Sequence, residues 1–120
     1  MNRSSTIARA CPDAAPIRSV ELPRAKMSLL FRHGDLDVLV SEIDAQGALS
    51  AVSPGCGFSW HLVVEGRALF EQDALGWEVL PAHSLSLPGT KAYRIANLGQ
   101  EPLRLVSIVV GSAADEPAPA

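Results

Sequence analysis

The sequence predicts an all-β domain, and three observations carry the prediction. Short apolar runs alternate with turn signals at intervals of about eight to twelve residues, the spacing of a sandwich or barrel. No segment sustains a helical period between helix caps. Leu103-Arg104-Leu105-Val106-Ser107-Ile108-Val109-Val110 is an almost unbroken apolar run, which reads as a central strand buried on both faces.

Each element has a local reason. Residues 17–21 form a short first strand, Ile-Arg-Ser-Val-Glu. Residues 26–32 and 36–43 flank His33-Gly34-Asp35, a hairpin turn that leaves His33 in solvent. Residues 49–52 lie between Ala45-Gln46-Gly47 and Ser53-Pro54-Gly55-Cys56-Gly57. Residues 59–65 and 68–72 are separated by a turn at Gly66. Residues 77–80 stop at Pro81-Ala82, and residues 84–87 stop at Pro88-Gly89. Residues 92–96 run into Asn97-Leu98-Gly99, a turn that includes Asn97, and residues 103–110 close the domain.

At 120 residues the chain suits one domain with its own core, and its 48% hydrophobic content fits a folded globule. Residues 1–16 and 112–120 are rich in Ser, Ala and Pro and are expected to be disordered, leaving residues 17–111 as the folded domain. A net charge of −3 supplies no basic field, so nucleic acid and anionic membrane are not expected partners. No apolar run is long enough to span a bilayer and no secretory h-region is present. The two cysteines, Cys11 and Cys56, form no C-x-x-C pair and read as free thiols, which points to a cytoplasmic protein.

Two motifs give the architecture a closer description. Val63-Val64-Glu65-Gly66 followed by Ala68-Leu69-Phe70 resembles the first hairpin of the cupins. The stretch from Gly76 to Pro88, followed by Gly89-Thr90-Lys91-Ala92-Tyr93, resembles the approach to their second motif. Asn97-Leu98-Gly99-Gln100-Glu101-Pro102-Leu103 resembles the turn before their last strand. The resemblance implies a double-stranded β-helix, the jelly-roll barrel of the cupin superfamily. The shortened first motif is most similar to the sensor cupins of arabinose-type regulators, although no helix-turn-helix follows it here.

In that family two His and a Glu of the first motif and one His of the second hold a metal. The resemblance puts the Glu position on Ser59, the paired His positions near Val52 and Pro54, and the second-motif His on Tyr93. None of these residues is a metal donor of the required kind, so neither metal nor cofactor is expected. Residues two apart share a strand face, so His61 and Val63 join Ser59 inside the barrel while Trp60 and Leu62 point out. His61 and Tyr93 can then meet in the barrel mouth, a pairing that suits proton transfer. Metal-free sugar-nucleotide epimerases of the cupin fold use a similar pair. The candidate catalytic residues are His61 and Tyr93, and the candidate ligand-binding residues are Ser59, His61, Tyr93 and Lys91, the last from the rim loop. His33 and His83 read as solvated turn residues, and Arg94 as pointing away from the pocket.

Three functions compete on this reading. The first is a small single-domain cupin that binds a small molecule without a metal. The second is a metal-independent isomerase, epimerase or lyase using His61 and Tyr93, and the third a metal-dependent dioxygenase or isomerase. A homodimer is expected in each case, because an outward Trp60 needs a cover.

Overall fold

Strand alternation decides which side chains the domain buries, and it is followed closely. The computed structural model describes residues 16–51, 57–88, 92–111 and 118–119. In chain order the strands are β1 (Arg18–Leu22), β2 (Ala25–His33), β3 (Leu36–Ile43), β4 (Ala48–Ala51), β5 (Phe58–Glu65), β6 (Ala68–Gln72), β7 (Leu75–Val79), β8 (Ser84–Pro88), β9 (Tyr93–Asn97), β10 (Leu103–Val110) and β11 (Ala118–Pro119). No helix occurs among the described residues, and so none that could cross a membrane.

The strands form two antiparallel sheets. One is ordered β1-β2-β3-β10-β5-β8 and the other β11-β4-β9-β6-β7. Their inward faces share one core. Ile43, Val63, Leu87, Leu103 and Leu105 come from the first sheet, and Leu49, Ala68, Phe70, Val79, Tyr93 and Ile95 from the second. Each fully buried aliphatic side chain contributes roughly 1.5–3 kcal/mol. This is the all-β jelly-roll barrel that the strand spacing and paired motifs predict.

Four local expectations need correction. His33 ends β2 instead of entering the turn, and its ring stacks on Phe31 at 6.4 Å. The strand expected at residues 77–80 begins two residues earlier, at Leu75. Its turn is made by Asp73 and Ala74, both at positive φ (54° and 63°), the geometry of a tight hairpin usually built with Asn or Gly. β10 is buried on one face only: Leu103, Leu105 and Ser107 are buried, whereas Arg104 is exposed and Val106 and Ile108 are half-buried. Asn97 belongs to β9 and not to the following turn.

The outward face of the larger sheet is apolar along its centre. Phe31, Val38, Ile108 and Trp60 form one row across β2, β3, β10 and β5, with Val40, Val106 and Leu62 in the next. Phe31 and Phe58 on this face are 52% and 47% exposed. A charged row closes one end, where Arg104 reaches Glu42 at 2.8 Å and Glu65 at 3.3 Å.

Asn97 locks the site-bearing strand β9 to the rest of the barrel. Its Nδ2 donates to the Ile43 carbonyl at 3.0 Å and the Glu101 carbonyl at 2.8 Å, and its Oδ1 accepts from the Gly99 N–H at 2.8 Å. Ala at this position strands three backbone groups, one of them deep in the barrel. Asn97→Ala should therefore lower folding stability by about 2–4 kcal/mol in urea denaturation, with the slope unchanged.

Candidate functional site

The site grows from a single cross-strand pair. In the antiparallel register of β5 and β10, His61 stands directly opposite Ser107, and Ser59 lies on the same inward face two residues before it. All three side chains are buried. His61 Nδ1 and Ser107 Oγ share a hydrogen bond of 2.7 Å, and His61 Nε2 and Ser59 Oγ share one of 2.9 Å. From the opposite sheet, Tyr93 meets the imidazole edge-on at 5.1 Å, and Phe70 meets it at 5.0 Å. The Ser59 hydroxyl also lies close enough to the Tyr93 phenol to favour its ionised form. A hydrogen-bonded line thus runs Ser107–His61–Ser59 through an apolar interior, with the Tyr93 ring beside it.

Electrostatics follow from burial. Desolvation pushes the His61 imidazole down to about 4, so it is neutral at physiological pH. Desolvation pushes the Tyr93 phenol up to about 12, with the nearby Ser59 hydroxyl pulling the other way. No buried side-chain polar atom lacks a partner among the described residues.

Of the residues singled out from sequence, Ser59, His61 and Tyr93 come together. Lys91 lies outside the described residues, as do Val52, Pro54, Cys11 and Cys56. His33 and His83 are exposed, and Arg94 points away to pair with Glu71 at 2.8 Å. Sequence reasoning missed Ser107. Its one signal was a lone hydroxyl within the apolar run of β10, and only the register with β5 reveals its partner.

No protein-family model and no curated protein matches the sequence. Solved structures do match in shape. The Schizosaccharomyces pombe Cnp3 cupin domain superposes with a TM-score of 0.67 at 19% identity, over 78% of this chain and 65% of that one. A Cupin_2 domain of an XRE-family transcriptional regulator from Enterobacter cloacae gives 0.67 at 15% identity, over 75% and 99%. Ectoine synthase from P. lautus gives 0.69 at 11% identity, over 85% and 80%. The fold is that of the cupins.

A cupin metal centre can be tested against these residues. It needs three or four nitrogen, sulfur or carboxylate donors aimed at one point. The motif resemblance assigns a hydroxyl and a phenol to two of the donor positions, and Val52 and Pro54, to which it assigns the others, carry no side-chain donor. Both nitrogens of His61 are engaged by serine hydroxyls. The described residues contain no group of three His, Cys, Asp or Glu able to share an ion. The described residues offer no donor set that fits a transition metal.

The buried imidazole couples folding to pH. An unfolded chain takes up a proton at His61 near the ordinary value of 6.5, while the folded chain does so only near 4. The unfolded state therefore binds more protons in that window. The His61 contribution is intact above about pH 6.5 and falls by about 3 kcal/mol as pH drops to about 4. In His61→Gln, which can still bridge the two serines, chemical denaturation should show a loss of stability between those pH values smaller by that amount. Equal losses in the two proteins would contradict the coupling.

Proposed function

We propose that this cupin domain binds a small molecule in the mouth of its barrel, without a resident metal, as a homodimer. The observation that carries the reading is the hydrogen-bonded Ser107–His61–Ser59 line with the Tyr93 ring against it. A small barrel folds more simply around aliphatic side chains, and a fully satisfied polar line in its place specifies orientation. Tyr93 and Ser59 would supply the polar contacts, with His61 behind them. Lys91, read from the sequence as a rim residue, would supply a further contact.

Binding is favoured over acid–base catalysis by the electrostatics. A general base works best with a pKa near the operating pH, whereas His61 sits near 4 and Tyr93 near 12. No carboxylate orients the imidazole; serine hydroxyls occupy both nitrogens. An isomerase, epimerase or lyase using this pair would run with a weak base and a weak acid. The donor set argues against metal-dependent oxygenase chemistry.

The dimer is supported by the outward face of the larger sheet. Its apolar rows cross four strands and three, spaced about 4.8 Å apart, and end at a charged border, a shape suited to self-association.

Tyr93→Phe tests the binding reading. Folding stability should change by about 1 kcal/mol or less, since one hydroxyl is removed at nearly constant volume. Affinity for barrel ligands found in a fragment screen should fall about tenfold or more. Elemental analysis should find no stoichiometric iron, zinc, manganese or nickel; about one ion per chain, lost in His61→Ala, would overturn the metal-free reading.

Sedimentation should show a dimer at about micromolar concentration and a monomer in Trp60→Asp, with the wild-type chain as a monomer refuting the pairing.

A further inference from the structure

Two amide side chains join the sheets, one at each end of the barrel. Asn97 of β9 and Gln72 of β6 are the buried amides among the described residues, each 7% exposed. Both belong to the smaller sheet, and both donate a side-chain N–H to a backbone carbonyl of the larger one. Asn97 reaches Ile43, which pairs with Leu103 at the start of β10. Gln72 reaches Pro88 at 3.3 Å, and Pro88 pairs with Phe58, which stands opposite Val110 at the end of β10. The two bonds therefore lie a full strand length apart. Asn97 secures the base of the barrel, and Gln72 lies at the end that carries Ser59 and Tyr93.

Alternation puts Gln72 on the inward face of β6 with Ala68 and Phe70. The register of β6 with β9 runs Phe70↔Ile95 and Glu71↔Arg94, and one further step sets Gln72 beside Tyr93. On its other side Gln72 pairs with Leu75 of β7, which is 60% exposed, so this inward row opens to solvent. β8 ends the larger sheet and pairs with β5 alone, so no strand ladder ties it to the smaller sheet. Gln72 thus stands between Tyr93 and the end of β8. Connectivity tightens the link, because four residues separate Pro88 from Tyr93 and five steps of chain reach at most about 18 Å. Where β8 ends therefore bounds where Tyr93 can stand.

We infer that Gln72 is a positioning residue for the barrel mouth: through Pro88 it fixes the gap between the sheets at this end, and with it the place from which Tyr93 meets a ligand. This inference rests on the barrel-binding reading above and adds the residue that holds its principal contact in place. A side chain of the same length without the N–H fills the space but releases the Pro88 carbonyl, and β8 and Tyr93 lose their common anchor. At 3.3 Å the bond is long, so folding depends on it less than on the shorter bonds of Asn97. The mouth depends on it more, since β8 has no ladder to the smaller sheet that could replace it.

The test uses the full chain, whose one tyrosine is Tyr93, so tyrosine chemistry reports on the mouth alone. Two readouts serve: the rate of nitration by tetranitromethane, and the ring signal of ¹³C-labelled tyrosine titrated with 2-pyrrolidinone, a small ring that both donates and accepts. Gln72→Met and Gln72→Glu each remove the N–H donors at nearly constant length. Each should raise the nitration rate about fivefold or more and weaken 2-pyrrolidinone about tenfold, with a small shift in urea midpoint. Ile43→Val, at the base, controls for a general loss of stability and should leave both readouts as in the wild type. Nitration within about twofold of wild type in both Gln72 variants, or raised equally in Ile43→Val, would overturn the positioning role, with binding by the wild type leaving the barrel reading intact. A wild-type Tyr93 signal that 2-pyrrolidinone does not move, with nitration still dependent on Gln72, would count against barrel binding while upholding the hold of Gln72 on Tyr93.

Discussion

An imidazole sealed in an apolar barrel is tolerated only when both ring nitrogens are bonded, because each unbonded polar atom there costs about 1–3 kcal/mol. Ser107 and Ser59 meet that requirement at 2.7 and 2.9 Å. The constraint reaches beyond the site. It requires β5 and β10 to pair in the register that puts Ser107 opposite His61, since a slip by one residue would turn every side chain of one strand to the other face. It also requires Phe70 and Tyr93 of the second sheet to close over the ring and exclude water. Register, sheet packing and the chemistry of the site are thus one condition.

The same alternation that fills the barrel leaves the larger sheet with an apolar back. Ser59, His61 and Val63 point inward from β5, so Trp60 and Leu62 must point outward, and β10 repeats the pattern with Val106 and Ile108. Charged residues mark where this face ends: Arg104 with Glu42 and Glu65 sits at one border. An apolar inside and an apolar outside on one sheet mean that two surfaces need covering. The second sheet covers the first of them.

The positions to which the motif resemblance assigns metal donors carry other side chains here. Where a metal-bearing cupin converges imidazoles and carboxylates, this chain places a hydroxyl and a phenol, and the one interior histidine faces serines. A metal supplies a strong fixed charge, whereas the serine–imidazole bonds here supply none.

Much of this was legible in residue order alone. Strand period, turn residues and the paired motifs set the all-β barrel, most strand limits to within about two residues, and the inward parity of Ser59 and His61. These signals are local, because alternation and turn propensity act between near neighbours in the chain. The errors were local conflicts that tertiary contacts resolved. Asp73-Ala74 makes a tight turn without glycine, Asn97 is drawn into β9 by the carbonyls of Ile43 and Glu101, and β10 is buried on one face although both are apolar. Ser107 could not be found from sequence, since nothing near it in the chain distinguishes a buried hydroxyl from an exposed one. Only the pairing of strands 46 positions apart decides that it holds the imidazole, because a hydrogen bond depends on distance in space and not on order along the chain.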